Sequence, residues 1–194
     1  MHTATERPGN APGLEDLIGA DAAVTWLLDL VERGTLRPCP ALVPSAAMIE
    51  EAVTLGKNGF PTVVVDPSEE ALARVASLAR YQDAAVSTFR RDGFTAISSF
   101  VGPELLFDRV RIHEIDPLRT AEWVHVAGRV LPSRGLLVGM FRTGRRPGDE
   151  PPHPIALDKL RHLLQRHFAT ELLEPAGETP PGSVEVWKGI FRRK

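Results

Sequence analysis

The sequence predicts a three-layer α/β sandwich, in which helices cover both faces of a seven-stranded, mostly parallel sheet. Apolar segments of strand length alternate with amphipathic segments of helical period along most of the chain. That alternation is typical of parallel strands joined by helical crossovers. The last two apolar segments, 170–176 and 183–191, are separated only by "GETPPG". Because so short a connection permits only a hairpin, the C-terminal strand is predicted to be antiparallel.

The first predicted helix follows a polar N-terminal segment. Residues 1–14 contain Pro and Gly without hydrophobic periodicity, which predicts a disordered tail before a single domain at 15–194. The segment 21–34, "DAAVTWLLDLVERG", has apolar residues at helical spacing. Asp21 is its predicted N-cap and Gly34 its C-terminal stop.

A strand, a helix and a second strand come next. The segment 40–45, "PALVPS", predicts a short buried strand, and 45–59 a helix capped by Ser45 and ended by Gly59 in the left-handed conformation. The segment 60–67, "FPTVVVDP", is too continuously apolar for a strand with one wet face. We therefore place it inside a sheet that is covered on both sides.

The remaining elements continue the alternation. The helix after the second strand begins at Ser68 with two acids in its first turn, and a later helix has Asp116 as N-cap and Pro117 at its first position. In chain order the predicted elements are a helix within 68–90, strands at 93–101 and 104–112, a helix at 116–131, a strand at 134–143, a loop at 144–154, a helix at 155–168 and the closing hairpin.

Composition indicates one globular domain and excludes several kinds of site. The chain is 43% hydrophobic and 25% charged, with a net charge of -2, so neither nucleic acid nor a membrane is expected as a partner. Cys39 is the single cysteine, which excludes an intramolecular disulfide and favours a reducing compartment. The N-terminus lacks a basic segment followed by an apolar one, so we expect a cytoplasmic protein. The histidines have no metal-ligand spacing, and no metal site is predicted.

Several motifs, taken in order, resemble those of a known family. The chain is similar over 21–194 to the class I methyltransferases that use S-adenosylmethionine (SAM), in particular the thiopurine methyltransferase-like family. The resemblance implies a Rossmann-like sandwich with SAM as cofactor. The matching segments are "VPSAAMIEE" at 43–51, "GFPTVVVDPS" at 59–68, "LLFDRVRI" at 105–112, "LPSRGLLVGMF" at 131–141 and "PPHPIALDKLRHLL" at 151–164.

The turn after the first strand departs from the family pattern. The family's three glycines, which let the backbone approach the cofactor, fall on Ser45, Ala47 and Ile49, and its aspartate falls on Glu51. Ser45 and Ala47 are small enough to remain candidate cofactor residues. Ile49 is more simply explained as a core residue, and we expect either Ile49 or Met48 to narrow the pocket.

Two further cofactor residues are implied by the resemblance. Asp66 ends the second strand, where the family places an acid that binds the ribose hydroxyls. An equally good interpretation is an acid that stabilises the turn "DPS". Ser99, in "SSF", replaces the family's aspartate beside the adenine amino group with a neutral hydroxyl.

Charged residues near the expected pocket mouth are candidates for binding a substrate or a partner. Asp108 and Arg109 match the family's fourth-strand motif, although an internal ion pair explains them equally well. Arg142, Arg145 and Arg146 form a basic loop after the fifth strand, suited to an anionic substrate or an acidic partner. A solvated loop is the simpler interpretation.

Two functional hypotheses follow. The first is a non-catalytic binding or regulatory module with a protein or small-molecule partner, which binds SAM weakly or not at all. The second is an active SAM-dependent methyltransferase acting on a small molecule, for which no acid/base pair is required. The first is favoured because the three glycines and the adenine-side acid are replaced together. Neither a substrate nor an oligomeric state is predicted.

Overall fold

The protein folds around a single mixed sheet of seven strands. The computed structural model describes residues 20–91, 97–143, 154–177 and 185–194; the predicted tail at 1–14 and nearly all of the predicted loop at 144–154 lie outside them. The strand order is β3-β2-β1-β4-β5-β7-β6. The strands are β1 (Ala41–Val43), β2 (Thr62–Asp66), β3 (Val86–Arg90), β4 (Leu105–Asp108), β5 (Leu136–Thr143), β6 (Phe168–Pro175) and β7 (Glu185–Arg193).

The pairing confirms the predicted fold class. The first five strands are mutually parallel, whereas β7 runs antiparallel to both β5 and β6. The "TVVV" segment in β2 lies between β1 and β3, inside the sheet. The described helices are α1 (Ala20–Glu32), α2 (Ile49–Lys57), α3 (Glu69–Tyr81), α4 (Arg111–Glu114), α5 (Thr120–Val130) and α6 (Leu157–Leu164), with 3-10 turns at Ala46–Met48, Ile97–Ser99 and Pro117–Arg119.

Helices cover the sheet on both faces. Successive side chains of a strand point to opposite faces, so each face presents apolar side chains to the helices that cover it. In β4, Leu105 and Phe107 belong to one apolar cluster and Leu106 to the other. The first cluster contains the buried faces of α1, α2 and α3, and the second those of α5 and α6. The result is the predicted three-layer sandwich.

The strand order reverses beside β1. The chain proceeds outward from β1 through β2 to β3, then returns to add β4 on the other side of β1. A reversal of this kind leaves a crevice at the carboxyl ends of the two central strands. The candidate site therefore lies between the residues that follow β1 and those that follow β4.

The predicted third strand at 93–101 is wrong. The strand is Val86–Arg90, within the segment predicted as a helix, and Ile97–Ser99 forms a 3-10 turn. Because β3 is an edge strand with a half-exposed pattern, it lacks the continuous apolar run that marked the other strands. Ile97 is apolar because it is buried against the second layer, without belonging to a strand.

The structure also corrects several smaller predictions of caps and boundaries. Asp21 lies in the first turn of α1 and is not its N-cap. The fourth strand ends at Asp108, four residues before the predicted boundary. Asp116 is a cap as predicted, since its carboxylate accepts the N–H of Leu118 at 2.8 Å, but it caps a 3-10 turn. The left-handed conformation predicted for Gly59 is confirmed by its φ of +83°.

One glycine allows β5 to approach the end of β4. Gly139 lies opposite Asp108 in the register of the two strands. A Cβ at position 139 would lie 2.1 Å from the main-chain oxygen of Asp108, closer than atoms can approach. The carboxyl end of β4 therefore keeps its place only with glycine at this position.

Gly139→Ala should destabilise the protein by about 2–3 kcal/mol, because β4 or β5 must move to admit the methyl group. Chemical denaturation measures the change. Gly34→Ala is the control, since a Cβ there meets nothing within 4 Å and only the left-handed backbone, φ +70°, is strained. That strain costs about 1 kcal/mol. An equal or smaller loss in Gly139→Ala would contradict the packing argument.

Candidate functional site at the carboxyl ends of the central strands

The turn after β1 begins with a buried serine. Ser45 is 3% exposed, and its hydroxyl oxygen accepts the N–H of Ala47 at 3.2 Å. This side-chain bond starts the 3-10 turn that leads into α2. Ser45 thus has the capping role that the sequence predicted, while Ala47 is exposed at the surface of the turn.

Asp66 connects the turns that follow β1 and β2. One carboxylate oxygen accepts the N–H of Ala46 at 2.9 Å, and the other accepts the N–H of Ser68 at 2.9 Å. The residue is 9% exposed. An ionised carboxylate has about four acceptor positions, so these bonds leave about two. Binding of a ribose by Asp66 stays a prediction, whereas its role in holding the turns together is part of the fold.

Met48 lies between the ends of β1 and β4. Its side chain is fully buried, and its sulfur accepts the N–H of Arg109, the first residue after β4, at 3.2 Å. Ile49, in contrast, is partly buried and packs against the first layer of the core. Of these two residues, Met48 is the one that reaches across the crevice.

A buried ion pair connects α2 with the end of β4. The Arg109 guanidinium forms a salt bridge with Glu51, whose side chain is fully buried. Burial raises the pKa of Glu51, and the bond to Arg109 partly opposes that rise. Sequence reasoning missed this pair: the internal salt bridge considered for Arg109 was with Asp108, which is wrong. Glu51 and Arg109 are separated by 58 residues in sequence, so no local pattern of residues indicates that they pair.

Asp108 instead holds the start of α4. Its carboxylate, which is fully buried, accepts three main-chain N–H groups at 2.7–3.0 Å. The donors are Val110, Arg111 and Ile112. Burial raises the pKa of Asp108 to about 6, although the three hydrogen bonds act in the opposite direction.

Arg111 makes a second connection across the crevice. Its Nε donates to the main-chain oxygen of Pro44, directly after β1, at 3.2 Å. Its guanidinium also pairs with Glu114 in α4 at 3.2 Å. The residues after β1 are therefore joined to those after β4 both by Met48 and by Arg111.

Comparisons with known proteins identify the fold of the chain but no relative by sequence. No family model and no curated protein matches the sequence. Among solved structures, magnesium protoporphyrin IX methyltransferase (ChlM) from Synechocystis PCC 6803, with bound S-adenosylhomocysteine (SAH), has a TM-score of 0.70 at 12% identity, covering 97% of this chain and 90% of that one. The chain has the methyltransferase fold.

Two further solved structures agree with this result. The N-methyltransferase NodS from Bradyrhizobium japonicum WM9, in complex with SAH, has a TM-score of 0.66 at 15% identity, covering 89% of this chain and 86% of that one. TehB from Haemophilus influenzae has a TM-score of 0.70 at 14% identity over 86% of this chain. The chain spans only 62% of TehB. At such identities the likeness describes the fold alone.

The methyltransferase fold changes the interpretation of Ser99. Ser99 is exposed in the 3-10 turn and lies well beyond the end of β3 at Arg90. The residues that directly follow β3 are Arg91 and Asp92. Asp92 lies outside the described residues. Binding of adenine by Ser99 stays a prediction.

The basic loop is only partly described. Arg142 is at the end of β5, where its main-chain N–H donates to Nε2 of the buried His113 at 3.0 Å. Arg145 and Arg146 lie outside the described residues, so their role stays a prediction.

Within the described residues no group of three His, Cys, Asp or Glu side chains could hold a metal ion. The same part of the chain has no helix long and apolar enough to cross a membrane. A groove of about 480 Å³ lies between α1 and the sheet, lined in part by Trp26, Met140 and Lys188. None of the predicted site residues lines this groove.

Asp66→Asn should lower stability by about 1–3 kcal/mol without any ligand, because the amide leaves one buried N–H facing a donor. Urea unfolding measures the change, with Glu69→Gln, which alters an exposed acid at the first residue of α3, as the control. Equal stability of Asp66→Asn and the natural protein would contradict the structural role.

Asp108 should give the protein a distinct pH dependence. Since its folded pKa is about 6, above the ordinary 3.8, the folded state holds the proton more tightly than the unfolded state. The stabilising contribution is complete below the ordinary pKa and is lost as pH rises through about 6. The stability difference between the natural protein and Asp108→Asn should shrink by up to about 3 kcal/mol from pH 4 to about pH 7. A difference that grows with pH would mean that the three N–H bonds outweigh burial.

Proposed function

We propose that this chain is a non-catalytic methyltransferase-like protein, used as a binding or regulatory module, with an origin in the thiopurine methyltransferase-like family. One observation carries the proposal: the chain's own side chains span the crevice where the fold would place a cofactor. Met48 meets the Arg109 N–H, and Arg111 meets the Pro44 oxygen. The order of the sequence motifs supports the family assignment.

The energetic argument concerns what SAM would have to displace. Met48, which lies between two of the positions where the family has glycine, is fully buried at the ends of β1 and β4. Moving a buried methionine into water costs roughly 1.5–3 kcal/mol. Such a cost corresponds to roughly a 10- to 100-fold loss of affinity. The residues after β1 therefore fit SAM poorly.

A second candidate function is an active SAM-dependent methyltransferase acting on a small molecule. ChlM and NodS, which share the fold, were crystallised with SAH. Asp66 retains about two acceptor positions at the end of β2, and Asp92 follows β3 in the sequence. Bound SAM would supply an electrophilic methyl group, whose transfer needs alignment and exclusion of water more than an acid/base pair.

Calorimetric titration separates the two candidates. The natural protein should bind SAM and SAH no more tightly than about 1 mM, equivalent to about 4 kcal/mol. At about 1 mM ligand the stabilisation should then be at most about 0.4 kcal/mol. NodS, titrated with SAH under the same conditions, is the positive control. A micromolar dissociation constant for this chain would reject the non-catalytic proposal.

Met48→Ala tests whether Met48 is what keeps SAM out. If it is, the variant should bind SAM roughly 10- to 100-fold more tightly than the natural protein, as the displaced methionine would no longer oppose binding. Met140→Ala is the matched control, since Met140 is equally buried but lies in β5. Both variants should lose about 2–5 kcal/mol of stability, so circular dichroism must first confirm folding. Equal affinity in both variants would show that Met48 does not limit binding.

A further inference from the structure

A group of basic side chains gathers at one corner of the molecule, away from the crevice. Its members come from the second half of α5, the turn between α6 and β6, and the end of β7. We call this surface the basic corner, formed by His125, Arg129, Arg166, His167, Arg193 and Lys194.

The corner is held together by contacts around His167. The rings of His167 and His125 lie 5.3 Å apart. Arg193 Nη1 donates to the main-chain oxygen of His167 at 3.0 Å, and the N–H of Lys194 donates to the same oxygen at 3.1 Å. Gly128 permits this packing, since a Cβ there would lie 2.8 Å from the His167 ring.

The C-terminal ends of two helices offset part of this positive charge. Arg193 Nε donates to the main-chain oxygen of Gly128 in the last turn of α5. Lys194 Nζ donates to the main-chain oxygen of Gln165, directly after α6. A helix C-terminus carries roughly half a negative charge, so two helices offset about one unit. Even if the main-chain carboxyl of Lys194 offsets another, the four fixed charges of the arginines and the lysine leave about two positive charges unbalanced.

Salt bridges among the described residues do not offset this positive charge. Elsewhere many arginines form salt bridges with carboxylates, for example Arg33 with Asp29 and Arg74 with Glu70. No carboxylate side chain of the described residues forms a salt bridge with any member of the corner. Burial lowers the pKa of His167, and the neighbouring His125 and Arg193 lower it further.

The corner lies at the opposite edge of the sheet from the crevice. Arg192, which precedes the last two members, pairs with Leu136 at the beginning of β5. The crevice is at the carboxyl ends of the parallel strands, whereas this position is at an amino end. The corner is therefore a separate surface from the crevice where the fold would place SAM.

We propose that the basic corner binds a short acidic segment of a partner protein. Arg129 and Arg166 are exposed and can approach carboxylates from solvent, with the partly buried Arg193 behind them. A long nucleic acid would extend past these few charges onto a protein whose net charge is -2. A run of Asp and Glu residues matches both the charge and the small extent of the surface.

The test uses the full chain and a fluorescein-labelled peptide of six glutamates, followed by fluorescence anisotropy at about 50 mM NaCl. The double variant Arg129→Gln/Arg166→Gln should bind roughly 2- to 30-fold more weakly, because each exposed ion pair contributes about 0.2–1 kcal/mol. The control is Arg74→Gln/Arg80→Gln, which removes two exposed arginines from α3 with the same change in net charge. The control variant should bind the peptide with the affinity of the natural protein. Raising NaCl to about 200 mM should weaken peptide binding by the natural protein and by the control variant.

Three outcomes would overturn the proposal. They are no binding of the peptide by the natural protein, an equal loss of affinity in the control variant, and tighter binding of a DNA duplex of equal charge that depends on Arg129 and Arg166. The last outcome would assign the corner to nucleic acid. All four substituted arginines are exposed, and the surface pair of Arg74 with Glu70 contributes only about 0.3–0.5 kcal/mol, so melting temperatures should change little. A matched melting temperature then makes any affinity difference attributable to the surface.

Discussion

The structure depends on how the chain satisfies main-chain N–H groups at the carboxyl ends of its central strands. Each strand there gives way to a helix or turn, whose first N–H groups have no partner within the element. Asp66 accepts two such groups and Asp108 accepts three. Because buried N–H groups left unpaired are costly, these carboxylates are needed for folding whether or not a ligand binds.

This use of acids bears directly on function. In a methyltransferase fold the same edge of the sheet is where a cofactor would meet the protein. Here the positions between β1 and β4 are occupied by Met48, by Arg111 and by the Glu51–Arg109 pair. The scaffold and its acids are present, but several of their bonding positions and much of the space are used by the protein itself.

The two edges of the sheet differ in the way charge is balanced. At the crevice, Arg109 and Arg111 both pair with glutamates, and the acids accept hydrogen bonds. At the basic corner the cations meet main-chain oxygens and the ends of two helices, which carry only partial charge. Where carboxylates compensate the cations, little positive charge remains to attract a ligand. Where only partial charges compensate them, the surface attracts an anion. The surface at which we propose that a partner binds therefore differs from the site that the fold alone would suggest.

The sequence by itself determined the sandwich, the position of β2 inside the sheet and the antiparallel C-terminal strand, because those features follow from hydrophobic period and connection length. It failed at β3, since an edge strand with one neighbour needs little apolar character, and Ser99, which was expected directly after that strand, lies in a 3-10 turn beyond it. Only the tertiary structure decided what the acids do. Glu51 and Arg109 are far apart in sequence. Asp66, at the end of β2, accepts the N–H of Ala46 in the turn that follows β1. Pairings of this kind depend on the relative placement of separate strands, which no local pattern of residues specifies.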